Sequence, residues 1–185
     1  MGSKRRSRRM AAALSLLGAA IGALVLSAGD PADELKAVAV LSFLRYSDWP
    51  PTADGALTVG VLGRPAFAEI LSRTLSGRSV NGRPLRLTEV KADSDLRCCQ
   101  LVYIATARAG DLHQALAGAR AARALTIGES DHFLDAGGAV SLFFVDGHIG
   151  FEASLTALGQ SGITVSSNLL RLGQIRDSTK GRPGK

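Results

Sequence analysis

Residues 135–153 read DAGGAVSLFFVDGHIGFEA. Two apolar segments, AVSLFFV and HIGFEAS, flank Asp146-Gly147, a dipeptide suited to a two-residue antiparallel turn because both positions tolerate positive φ. Gly137 and Gly138 admit a tight turn into the first segment. His148 falls near the tip in solvent, and Phe151 and Glu152 lie on the returning strand, either as sheet packing or as part of a docking surface. This predicted hairpin decides the fold, because everything before it points to strands of one direction.

Working outward, ALTVGVLG (56–63) reads as a strand, and Gly63, Arg64 and Pro65 turn it into a helix over about 66–76. NGRPLRLTEV gives a turn and a strand with alternation at Leu85, Leu87 and Val90. QLVYIA (100–105) is a continuous apolar run, as expected of a strand covered on both faces. GDLHQALAGARAA is a helix, ALTIG a short strand, and SDHFLDA a loop or one helical turn. After the hairpin, LTALGQSG reads as a helix stopped by Gly162, and SSNLLRLGQ as a last short helix. Before all of these, Asp30-Pro31 caps a helix whose apolar stripe runs through Leu35, Val38, Leu41, Phe43 and Leu44 to Trp49-Pro50-Pro51. Strands alternating with helices predict an α/β fold: one three-layer domain over 30–176, with a mixed, mostly parallel sheet, a C-terminal β-hairpin and flanking helices.

The chain has 185 residues and a formal charge of +6. Lys4, Arg5, Arg6, Arg8 and Arg9 supply five of its 22 cations, which leaves 17 against 16 acids in the remainder. The basic excess is therefore terminal, and no basic stripe with interleaved aromatics argues for nucleic acid. The charged start runs into AAALSLLGAAIGALVL (11–26) and the small residues SAGDPA, the layout of a secretory signal peptide over 1–29 with cleavage between 27 and 32. About 16 apolar residues is short for a membrane span. SRRM also admits a twin-arginine export reading, and an uncleaved anchor helix is the alternative to cleavage. No cysteine lies near the cleavage region, which argues against a lipoprotein. DSTKGRPGK (177–185) has no periodicity and reads as a disordered polar tail.

The chemistry-bearing residues form no catalytic pattern. TVGVLGRPAF has the strand, glycine turn and helix that suit phosphate capture, but lacks both GxGxxG and GK[ST]. His113, His132 and His148 show no metal-ligand spacing. Glu129, Asp131 and His132 lie together, most simply as a solvated loop at a strand end. Ser166-Ser167 lacks a GxSxG context. Cys98 and Cys99 are neighbours, so an ordinary disulfide between them is strained. Two buried thiols, a vicinal disulfide or a link to another chain all remain open. No cofactor or metal is expected.

FLRYSDWP, LTVGVLGRPAF, GRSVNGRPLRL, CQLVYIA, LTIGESDHFLDAGGAVSLFFVDGHIGFEASL and GITVSSNLLRLG occur in this order across about 35–175. As a set they resemble the YfiR family of small exported bacterial proteins. That resemblance implies a periplasmic regulator and not an enzyme: a protein that represses an inner-membrane diguanylate cyclase by binding its periplasmic domain, lowering cyclic di-GMP and biofilm formation. It also implies a homodimer and sequestration by an outer-membrane lipoprotein, and related domains accompany sensor kinases. Two departures are visible. The family's FEIN-like segment is here Phe151-Glu152-Ala153-Ser154, and Cys99 lacks the distant partner cysteine of better-known relatives. The expected partner-binding residues are Phe151, Glu152, Ser154, Asn168 and Arg171. A second class of function, small-ligand sensing, would use a crevice at the C-terminal ends of the parallel strands, near Gly63, Arg64 and Ser130.

Overall fold

A computed structural model describes residues 30–53 and 55–176. The expected signal peptide and polar tail lie outside these residues, apart from the end of the cleavage window. Helix α1 (Pro31–Arg45) begins where the Asp30 side chain accepts a 3.0 Å hydrogen bond from the Ala32 amide. Pro31 occupies the first turn, where its missing N–H is no loss. Its buried face consists of Ala32, Asp33, Ala37, Val40, Leu41, Phe43 and Leu44. The stripe expected through Leu35 and Val38 is thus corrected: these two are 40% and 53% exposed. The helix is rolled so that Asp33 faces the Arg64 guanidinium, which follows the strand over 57–62, a long-range constraint that apolar periodicity does not report.

Past the two-residue strand β1 (Ser47–Asp48), the chain forms β2 (Leu57–Leu62), α2 (Pro65–Leu75), β3 (Ser79–Val80), β4 (Arg83–Glu89), β5 (Leu101–Ile104), α3 (Ala109–Ala122) and β6 (Leu125–Gly128). It continues through β7 (Val140–Val145), β8 (His148–Ser154), α4 (Leu155–Ser161), β9 (Thr164–Val165), α5 (Ser167–Leu170) and β10 (Gln174–Arg176). The main sheet runs β10-β8-β7-β6-β5-β2-β4-β3, while β1 and β9 pair separately. Strands β4, β2, β5, β6 and β7 are parallel. Strands β3, β8 and β10 run against them, so the sheet is mixed and mostly parallel.

The central strands are apolar on both sides because both faces are covered. Leu57, Val59, Val61, Leu101, Tyr103, Leu125 and Ile127 join α1 and α2 in one core. Val102, Ile104 and Leu62 join Leu112, Ala115, Leu116 and Ala119 of α3 in a second. Three layers follow from these two cores. Strand β2 leads through α2 to β4, whereas β5 leads through α3 to β6 on the other side. The switch point of the topology therefore lies between β2 and β5. At its C-terminal end Gly63 has φ +92°, and a Cβ there would lie 2.2 Å from the Ala105 carbonyl oxygen.

The hairpin forms as its sequence predicts, with Asp146 at φ 49° and Gly147 at φ 79°. The second of the paired glycines has a packing reason: a Cβ at Gly138 would sit 2.1 Å from the ring of Phe133, which is wholly buried beneath it. Strand β7 meets β6 only at Val140 and Ser141, and β8 meets β10 only from Glu152 to Ser154. Residues 142–151 thus pair with one another alone, as a two-stranded ribbon projecting past the C-terminal end of β6.

Candidate functional site

The C-terminal ends of the parallel strands gather a network of charges. Arg64, just after β2, donates to Asp33 Oδ2 at 2.6 Å and to Glu129 Oε1 at 2.9 Å. Lys36 donates to Glu129 Oε2 and lies 3.5 Å from Asp33 Oδ1. Two acids thereby meet two bases, and the Asp33 side chain is only 4% exposed. Beneath them the Phe67 and Tyr103 rings lie 4.3 Å apart at 30°, with the Arg64 guanidinium 5.9 Å above the Phe67 ring. Burial alone would raise the Glu129 pKa, but the hydrogen bonds from Lys36 and Arg64 outweigh it and hold the carboxyl below its usual value. Burial, with the Glu129 charge nearby, raises the Tyr103 pKa and keeps its hydroxyl neutral.

Gly63, Arg64 and Ser130 are brought to one end of the sheet, where a ligand crevice was expected. Arg64 is, however, engaged by the protein's own carboxylates, and Gly63 presses its backbone against Ala105. Three buried oxygens there, Asp33 Oδ1, Tyr103 Oη and Ser130 Oγ, have no hydrogen-bond partner among the described residues. Asp33, Lys36 and Tyr103 were not singled out from the sequence. The only local signal was the i, i+3 acid–base pair of Asp33 and Lys36.

The five expected docking residues separate into two groups. Phe151 is 7% exposed and packs edge-on against Phe43, with ring centroids 5.1 Å apart at 78°, so its side chain is core and not an exposed anchor. Ser154 is 5% exposed, and its hydroxyl caps α4 by accepting from the Ala157 amide at 3.3 Å. The other three lie at or near the surface. Glu152 is half-buried and pairs with Arg176 at 3.4 Å, while Arg176 also donates to Asp135 at 2.7 Å. Asn168 and Arg171 are hydrogen-bonded to each other. Exposed apolar surface on the hairpin belongs instead to Phe144 and Val145, 45% and 51% exposed near the tip.

At the opposite end of the parallel strands lies a cavity of about 560 Å³. Its wall includes Thr58 and Gln100, Arg97 to Cys99 before β5, and Arg123 after α3. Cys98 is exposed and Cys99 buried, both free, with their Sγ atoms 3.5 Å apart. Two separate thiols are thus the arrangement present, and the expectation that both are buried is corrected: only Cys99 is. Burial first, and then the Cys98 contact, push the Cys99 thiol up to about 12. All three histidines are exposed, and no cluster of three metal-ligating side chains occurs among the described residues. No helix among them is long and apolar enough to cross a membrane.

Comparison with protein families matches residues 33–174 to a model described as YfiR/HmsC-like. Comparison with curated proteins finds no match. Among solved structures, a conserved domain protein from Vibrio cholerae O1 biovar El Tor superposes with a TM-score of 0.56 at 16% identity. The match covers 77% of this chain and 59% of that one, so this chain corresponds to only part of the neighbour's length. At that identity the likeness is one of fold.

Proposed function

Because the chain belongs to the YfiR/HmsC-like family, we propose that it is an exported periplasmic regulator that binds the periplasmic domain of an inner-membrane signalling enzyme. The enzyme is a diguanylate cyclase, which the protein represses, so that its presence lowers cyclic di-GMP and biofilm formation. A sensor kinase is the partner of the same kind that the resemblance also admits, and an outer-membrane lipoprotein would sequester the regulator. The observation that carries this reading is the family match across 33–174, nearly the whole described domain. The projecting ribbon supports it, because Phe144 and Val145 offer apolar area beyond the packed sheet.

Repression of this kind is a population shift. The regulator must bind the inactive state of the cyclase more tightly than the active state, and moving the balance from 1:99 to 99:1 takes about 5.5 kcal/mol of difference. Only a contact surface is needed. The test is co-purification of this protein with the periplasmic segment of the membrane cyclase or kinase encoded beside it. A stable complex, together with raised cyclic di-GMP on deletion of the gene, is expected. Absence of binding to any such segment, with stabilisation by a metabolite, would replace this reading with a small-ligand sensor. The cavity of about 560 Å³ is what favours that second reading.

A further inference from the structure

The cavity lies away from both the charge network and the hairpin, and the proposed regulation makes no use of it. Its volume of about 560 Å³ falls within the range of pockets that hold small molecules. Two guanidinium groups lie in its wall. Arg97 is held by Asp95 at 2.7 Å, whereas the exposed Arg123 has no ion-pair partner among the described residues. The uncompensated charge at this wall is therefore positive. Of the two thiols, Cys98 is the one open to a molecule in the cavity. Neighbouring Cα atoms stand about 3.8 Å apart across a trans peptide, short of the roughly 4.4 Å at which ordinary disulfides begin. Cys99 is thus poorly placed to displace a group once it is bound to Cys98.

We propose that Cys98 is a thiol–disulfide exchange site for a small, carboxylate-bearing disulfide drawn into this cavity by Arg123. The Cys98 thiolate attacks one sulfur of the ligand, and the new S–S bond to Cys98 forms as the ligand's own S–S bond breaks. The departing half leaves as a thiolate and takes up the proton that Cys98 released. The ligand is the oxidant, and the product is a mixed disulfide at Cys98 and one free small thiol.

The test incubates the purified protein with oxidised glutathione, which is anionic, or with cystamine, which is cationic. Adducts are followed by intact mass and peptide mapping, and each rate is divided by that of a free thiol with the same reagent. A single glutathione adduct on Cys98 is expected, formed about tenfold faster than the cystamine adduct after this correction. It disappears in Cys98→Ser and persists in Cys99→Ser, and Arg123→Glu reduces or reverses the preference for the anionic reagent. An adduct on Cys99, loss of two hydrogens with no adduct, equal or faster reaction with cystamine, or an unchanged preference in Arg123→Glu would each overturn the proposal. The comparison of reagents on the unaltered protein needs no variant to fold.

Discussion

The two ends of the parallel strands carry the same kinds of residue in opposite states. At the C-terminal end, Arg64 and Lys36 are matched by Asp33 and Glu129 and covered by α1. At the N-terminal end, Arg123 stands beside an open cavity with no counter-charge among the described residues. Open α/β sheets bind ligands outside the C-terminal ends of their strands, at the switch point. Here the first turn of α1 brings Asp33, which with Glu129 at the end of β6 occupies that position. A fold-level rule locates where a crevice can form, and the packing of one further helix decides whether it stays open.

The largest stability loss is expected at the base of the hairpin on the charged end. Phe151→Ala removes a buried ring that packs on Phe43 and should destabilise the protein by about 3–5 kcal/mol, measured by urea unfolding. A loss below about 1 kcal/mol would show that the strand returning from the tip is not part of the core. Asp33→Ala comes next. It leaves Arg64 facing Glu129 alone and should cost about 3 kcal/mol, whereas Arg123→Ala at the open end should change stability by less than about 0.5 kcal/mol. Equal losses at the two ends would abolish the contrast between them.

Acid should sharpen the same contrast. The Glu129 pKa is lowered in the folded protein, so its contribution is fully present above the unfolded value of about 4.3 and is lost as the pH falls through the folded value. Thermal melts from neutral pH downward should show Glu129→Gln less stable than the unaltered protein near pH 7. The gap should narrow towards acid. A gap that keeps its size at every pH would mean that the carboxylate charge does not stabilise the network.

These expectations also mark what the sequence could and could not disclose. The hairpin was legible because its determinant is local: Asp146 and Gly147 alone set the turn, and AVSLFFV and HIGFEAS supply the strands. The central strands were legible as continuous apolar runs. The charge network was not, because Arg64 meets residues 31 and 65 positions away and Lys36 meets one 93 positions away. Strand β10 was also missed, since three residues at a sheet edge carry no periodicity and are held partly by the Arg176 contacts. Alternation along β8 put Phe151 and Glu152 on opposite faces, but it could not say which face is covered. That depends on Phe43 from α1 and on Gly173, where a Cβ would meet the Phe151 ring at 2.2 Å.

A small expected change in stability is the one most informative about docking. Glu152 is 32% exposed, and its ion-pair partner Arg176, at 3.4 Å, is shared with Asp135. Partly exposed pairs contribute about 0–1 kcal/mol, so Glu152→Lys should leave the fold intact, with a stability change of about 1 kcal/mol or less. If the ribbon and the C-terminal segment form the recognition surface, reversing this charge should still weaken the complex with the membrane partner, by about tenfold or more, because like charges across an interface are costly. Phe151→Ala cannot make this distinction, since loss of binding there would follow from loss of the core. Pull-down of the partner segment by folded Glu152→Lys protein is therefore the decisive measurement. Undiminished capture would move the recognition surface off this face of β8, towards the exposed Phe144 and Val145 at the tip.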